Sequence, residues 1–145
     1  MRAIIQRVSG ASLVTGEHPP RAIGRGIVAL VGIEKGDSET SVKRMAERLT
    51  GYRIFPDAQG RMNLSLSDIN GEILLVPNFT VAADTKKGTR AGFSTAAEPV
   101  EGKRLFLALA ERLSKYPLLL KTGLFGADMQ ITLSNEGPVT FILES

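Results

Sequence analysis

The chain has 145 residues, 43% hydrophobic and 23% charged, enough for one domain with an apolar core and unlike a disordered chain. It has no cysteine and one histidine, which excludes disulfides, thiolate metal sites and cysteine nucleophiles. A zinc site or a histidine-based triad would rest on His18 alone, beside Pro19 and Pro20, where a solvated loop is the simpler reading. The formal charge of +3 is compatible with a nucleic-acid partner but does not require one.

No apolar run reaches the roughly 20 residues of a membrane span. The opening Met1-Arg-Ala-Ile-Ile-Gln-Arg-Val-Ser9 alternates apolar and polar residues, unlike a signal peptide. The expectation is a cytoplasmic protein with no membrane contact, and one domain spanning residues 1–145.

Arg2–Ser9 alternates as a half-buried strand does, and Ala11–Val14 reads as a short second strand paired with it. Gly26–Ile33 is apolar on both faces and predicts a central strand. Gly24-Arg-Gly26 lacks the third glycine and the helix of a phosphate loop, so it reads as a turn. Asp37 or Ser38 caps a first helix with Val42, Met45, Ala46, Leu49 and Tyr52 on one stripe. Turns at Pro56–Gly60 and Asn70-Gly71 bracket short strands at Leu64–Leu66 and Glu72–Val76. After the polar segment Ala82–Glu98, Pro99 opens a second helix to about Lys115, with Leu105, Ala108, Leu109 and Leu113 inward. Leu118–Lys121, Met129–Leu133 and Thr140–Leu143 complete the strands. The fold class is α+β: a sheet-rich, mostly antiparallel arrangement with two main helices.

Two segments interrupt good strands. In Val76-Pro-Asn-Phe-Thr-Val81 the proline cannot donate to a ladder, so this point is an edge or a bulge. The amide, ring and hydroxyl beside it suit a pocket wall; the alternative is an edge strand with Phe79 in the core. In Asn135-Glu-Gly-Pro-Val-Thr140, Gly137 lets a ligand approach the main chain and Pro138 can fix how carbonyls point. The alternative there is a purely connective turn.

The same segments carry a resemblance. Together with the opening nonapeptide, Gly24-Arg-Gly26, Gly32-Ile-Glu-Lys35, Tyr52-Arg-Ile-Phe55, Met62-Asn-Leu-Ser65, Ala83-Asp84 and Gly123-Leu-Phe-Gly-Ala-Asp-Met129, they resemble the bacterial D-aminoacyl-tRNA deacylases from end to end. The resemblance implies a β-barrel-like sheet, a homodimer with pockets at its interface, and an aminoacyl-tRNA substrate, with no cofactor and no metal. Gly137 and Pro138, joined by a cis bond, would reach into the partner's pocket. Their carbonyls would hold the substrate's amino group and leave no room for an L side chain. Arg7 would orient that turn from beneath. Phe79 and Thr80 would line the pocket around the adenosine and the scissile ester, with Phe125 and Met129 nearby.

The chain departs from the family pattern at one point that bears on chemistry. Family members usually carry Ser-Gln-Phe-Thr-Leu where this chain has Pro77-Asn-Phe-Thr-Val81. Pro77 removes a hydroxyl and a backbone donor, and Asn78 is one methylene shorter than glutamine. Gly102 also replaces a common alanine. A sister branch that removes L-alanine from mischarged tRNA also begins this motif with proline, but it lacks the phenylalanine that remains here as Phe79.

The implied reaction is hydrolysis of the ester joining a D-amino acid, or glycine, to the terminal ribose. Thr80 has no base in view to activate it. The expectation is therefore that main-chain N–H groups near Phe79 and Thr80 stabilise the oxyanion while the ribose 2′-hydroxyl assists water. Lys86, Lys87 and Arg90 are candidates for RNA phosphates, against the alternative of a solvated loop. Lys103, Arg104, Arg112 and Lys115 read as a solvent face. Two rival readings remain: the same chemistry on L-alanyl-tRNA, and a tRNA-binding module without hydrolysis.

Overall fold

In the computed structural model, which describes residues 1–145, the elements in chain order are β1 (Arg2–Val14), β2 (Arg21–Ile23), β3 (Gly26–Gly32), α1 (Glu39–Gly51), β4 (Phe55–Pro56), β5 (Met62–Leu64), β6 (Glu72–Pro77), a 3₁₀ turn (Phe79–Ala82), α2 (Pro99–Leu113), β7 (Leu120–Thr122) and β8 (Gln130–Glu144). One edge of β1 pairs antiparallel with β8 along nearly its whole length. Its other edge is divided between β3 and β2, again antiparallel. β6 then lies parallel to β3, and β7 parallel to β6. Parallel neighbours need crossovers, and the helices supply them: α1 lies between β3 and β6, α2 between β6 and β7. The sheet is mixed, antiparallel in its larger part, and nearly closed into a barrel.

Two strand readings merge. Ala11–Val14 does not turn back on Arg2–Ser9, because β1 runs on through Gly10 with β8 beside it. Likewise Met129–Leu133 and Thr140–Leu143 belong to one strand, β8, and the Gly-Pro signal marks a bulge within it. Opposite the single residue Arg7, β8 loops out residues 136–139 between the pairs Gln6↔Thr140 and Val8↔Asn135. Val8 alternates onto the face opposite Ala3 and Ile5, and a second irregularity between Val8 and Gly10 brings Ala11 and Leu13 to the side of Val8. Ala3 and Ile5 therefore join the larger core, whereas Val8, Ala11 and Leu13 join the smaller.

The larger core lies between the sheet and the helices, where Ile5, Ile27 and Leu75 meet Met45, Leu49, Leu105 and Phe106. The smaller core, on the opposite face, contains Val28, Leu74 and Val76, with Met129, Ile131 and Leu133 half-buried against it. Residues alternate between the two cores along β3 and β6, which is why these strands are apolar throughout.

Ser38, not Asp37, is the N-cap of α1. Asp37 accepts instead from the Glu34 N–H and pairs with the Met1 ammonium group. Val42, Met45, Ala46 and Leu49 are buried as expected, but Tyr52 lies past the helix end and packs its exposed ring edge-on to Phe141. Pro99 opens α2, which stops at Leu113 rather than near Lys115. Phe106 shares its buried face, while Ala108 is only half-buried. Gly26 is required by contact: a Cβ there would stand 1.8 Å from the Glu72 carbonyl oxygen.

Candidate active site

A cavity of about 650 Å³ opens where β6 ends, walled by the 3₁₀ turn, Phe93, the start of α2 and the Phe125–Met129 segment. Pro77 sits at the end of β6, past the last pairing with β7, so its missing N–H leaves no gap in that ladder. Pro77, Asn78, Phe79, Phe125 and Met129, singled out from the sequence, all line this cavity. Phe79 is 61% exposed, which rules out the alternative that placed it in the core. Its ring tilts against that of Phe93, with centroids 5.0 Å apart.

The 3₁₀ turn presents the polar groups. Asn78 is its N-cap, and the amide oxygen accepts from the Thr80 N–H at 3.2 Å. The same oxygen accepts from the Thr80 hydroxyl. Phe79 is the first residue of the turn, so its N–H has no acceptor within it. Of the two main-chain donors expected here, Thr80's is thus occupied by the chain's own side chain. The hydroxyl of Thr80 faces an amide oxygen, which is no base.

Glu98 and Asp128 supply the charged groups of the cavity wall, and no lysine or arginine lines it. Met129 packs its sulfur against the Leu124 N–H at 3.3 Å. Gly102 lies behind the wall: a Cβ there would be 3.3 Å from Cζ of Phe125. The carboxyls held below their usual range lie elsewhere. Asp57 is lowered chiefly by the Arg61 N–H, Asp68 by the Ser65 N–H, and Glu101 by the Arg104 guanidinium. No group of three or more His, Asp and Glu side chains converges to hold a metal ion.

Thr80, next to Phe79 in the turn, does not line the cavity, and the remaining candidates also fall outside it. Gly137 and Pro138 are exposed, on the β8 bulge, and the peptide bond between them is cis. Arg7 is 12% exposed and lies under that bulge, its Nε donating to the Glu136 carbonyl at 2.8 Å and its Nη1 to the Ile54 carbonyl at 2.7 Å. Lys86, Lys87 and Arg90 are exposed on a loop closed by an antiparallel bridge between Asp84 and Gly92. That bridge ends beside Phe93, so the basic loop stands next to the cavity rim. His18 is exposed. Arg104, read as part of a solvent face, bridges the helices through Glu39 and Glu101.

Sequence reasoning did not single out Phe93, Glu98 or Asp128. Phe93 had a legible signal, being the one aromatic residue in the polar segment 82–98. The two carboxylates had none, since only the folded chain brings α2 against the approach to β8.

The family model described as D-Tyr-tRNA(Tyr) deacylase matches residues 4–144. A D-aminoacyl-tRNA deacylase of Methylococcus capsulatus is 55% identical over 143 residues, covering 99% of this chain and 94% of the relative. One from Vibrio cholerae is 46% identical, with complete coverage of both chains. Among solved structures, a c-Myc DNA unwinding element binding protein superimposes with a TM-score of 0.93 at 37% identity, covering 100% of this chain and 99% of that one. A probable eukaryotic D-amino acid tRNA deacylase shares the fold with a TM-score of 0.83 at 16% identity, covering 99% and 98%. The chain belongs to the D-Tyr-tRNA(Tyr) deacylase family.

Proposed function

We propose that this protein hydrolyses the ester bond of D-aminoacyl-tRNA, and of glycyl-tRNA, releasing the amino acid and intact tRNA in the cytoplasm. The observation that carries this reading is the convergence of Pro77, Asn78, Phe79, Phe125 and Met129 on one cavity, in a chain 55% identical to a D-aminoacyl-tRNA deacylase. The exposed Phe79–Phe93 pair offers the terminal adenine an aromatic surface.

The chemistry follows from what the turn can donate. Water attacks the ester carbonyl, and negative charge develops on the carbonyl oxygen. The Phe79 N–H stabilises that charge; a single donor of this kind is worth about 3 kcal/mol. The ribose 2′-hydroxyl assists the water, since Thr80 has no base to take its proton. An aminoacyl ester is already activated, so positioning and one donor suffice.

Stereochemical selection falls to Gly137 and Pro138, whose carbonyls would receive the substrate's ammonium group. They do not line their own chain's cavity, which supports a homodimer in which each bulge completes the partner's site. Lys86, Lys87 and Arg90 would meet tRNA phosphates as the acceptor end enters. Release of labelled amino acid by purified protein from D-aminoacyl-, L-aminoacyl- and glycyl-tRNA tests the reading. Turnover of the D and glycyl esters alone is expected. Turnover of L-alanyl-tRNA would assign the other specificity, and tRNA binding without release would leave a binding module.

A further inference from the structure

The turn at Gly137–Pro138 lies outside the sheet's hydrogen bonding, so something else must hold it. Asn135 does part of this: its side-chain oxygen accepts from the Val139 N–H at 2.7 Å, and its amide group donates to the Val139 carbonyl at 3.1 Å. Arg7 grips the Glu136 carbonyl from below. A third contact has no place in either arrangement. The Glu136 carboxylate lies 3.6 Å from Nε of Arg7 and 3.9 Å from Nε of Arg25. Its contacting oxygen, Oε2, is buried and has no hydrogen-bond partner.

Arg25 is held in place on three counts. Its guanidinium lies over the Phe55 ring, 5.6 Å from the centroid. Its carbonyl accepts from the Glu72 N–H at 3.0 Å. Gly26 beside it allows the close approach to Glu72, and Gly24 donates to the Glu72 carboxylate at 2.6 Å. The Gly24-Arg-Gly26 motif therefore fixes the main chain at position 25, and the half-exposed guanidinium, laid over Phe55, reaches the residue that precedes Gly137.

We propose that Arg25 is a positioning residue for stereochemical selection, acting through Glu136. This rests on the reading that Gly137 and Pro138 receive the substrate's ammonium group. Arg7 is largely removed from water, and its two hydrogen bonds go to neutral carbonyls, so the Glu136 carboxylate is its ion-pair partner. Arg25, approaching the same oxygen, keeps that carboxylate from swinging into solvent. Glu136 is then fixed by main chain and side chain together, and the carbonyl direction at Gly137 is fixed with it. At 3.6 and 3.9 Å the attraction is that of charges rather than of directed hydrogen bonds. Charge at position 25 therefore matters more than the shape of the group carrying it.

The test compares wild type, Arg25→Gln, Arg25→Lys, Glu136→Gln and the Arg25→Gln/Glu136→Gln double variant. Each is assayed for kcat and KM on D- and L-aminoacyl-tRNA, with amide exchange at Val139 as a readout independent of activity. Arg25→Gln and Glu136→Gln are each expected to lower the D-over-L ratio about tenfold, mainly through kcat, because small misplacement of a positioning group is costly. Val139 should exchange faster in both. Arg25→Lys should restore the ratio to within about threefold. The double variant should be no worse than Glu136→Gln alone, since Arg25 acts through that carboxylate. An unchanged ratio and unchanged Val139 exchange in Arg25→Gln would overturn the proposal. So would a uniform rise in KM on both substrates, the mark of a phosphate contact. If wild type releases no amino acid from any tRNA, the functional reading fails, and Val139 exchange still decides whether Arg25 braces the turn.

Discussion

Asn78 caps Thr80 twice, its one amide oxygen accepting both the main-chain N–H and the hydroxyl. The side chain that departs from the family's glutamine thus closes on a donor that the reaction could use. A short Asx side chain folds back on its own turn in this way; glutamine, one methylene longer, does not form the same closure. This relationship sets the first two predictions.

Replacing Asn78 by glutamine breaks this closure and frees the Thr80 N–H. We expect Asn78→Gln to raise kcat on D-aminoacyl-tRNA, with about 3 kcal/mol as the ceiling for one added oxyanion donor. Stability should fall by about 1 kcal/mol through loss of the cap. Single-turnover kinetics beside thermal melts would show the two moving in opposite directions. A parallel loss of both would mean that the cap, not the freed donor, governs the site.

Thr80→Ala and Thr80→Ser should both keep hydrolysis, because the threonine hydroxyl donates to an amide oxygen, which cannot take its proton. A tRNA ending in 2′-deoxyadenosine leaves the protein unaltered and lacks the hydroxyl proposed to assist the water. Its hydrolysis should slow far more than that of normal substrate by Thr80→Ala. A covalent aminoacyl ester trapped on Thr80 would show the opposite mechanism.

Gly102 closes the first turn of α2, its N–H donating to the Glu98 carbonyl, and glycine within a helix costs up to about 1 kcal/mol relative to alanine. In Gly102→Ala the new methyl group meets Phe125 at 3.3 Å, and that ring lines the cavity while tilting against Phe106, with centroids 6.2 Å apart. The ring can shift by a few tenths of an ångström. We expect a higher melting temperature by calorimetry and a modest change in KM, with kcat preserved. A lower melting temperature would mean that the wall cannot yield.

Neutralising Lys86, Lys87 and Arg90 together should raise KM and leave kcat unaltered, since the loop borders the cavity rim without lining it. The dependence of log affinity on log salt should flatten by about 0.7–0.9 for each phosphate that the loop no longer neutralises. A salt slope equal to that of wild type would return this loop to solvent.

The local features followed from residue type. Alternation in Arg2–Ser9 and the double-sided apolarity of Gly26–Ile33 gave strand and central position, because burial follows side-chain period. The stripe Val42, Met45, Ala46 and Leu49 gave α1, and Pro99 marked the start of α2. Pro77 and Phe79 stood out as a break in a strand, and the structure places both on the cavity.

What the chain alone could not disclose depends on pairing at a distance. Gly137 and Pro138 looked like a turn between two strands, yet β1 holds both flanks in one strand and turns the signal into a bulge. Glu98 and Asp128 are far apart in sequence and meet across the cavity only when α2 packs beside β7 and β8 begins. Periodicity reports which face of a segment seeks burial. Only the assembled sheet decides which faces meet, because register and crossing are settled by contacts among residues far apart in the chain.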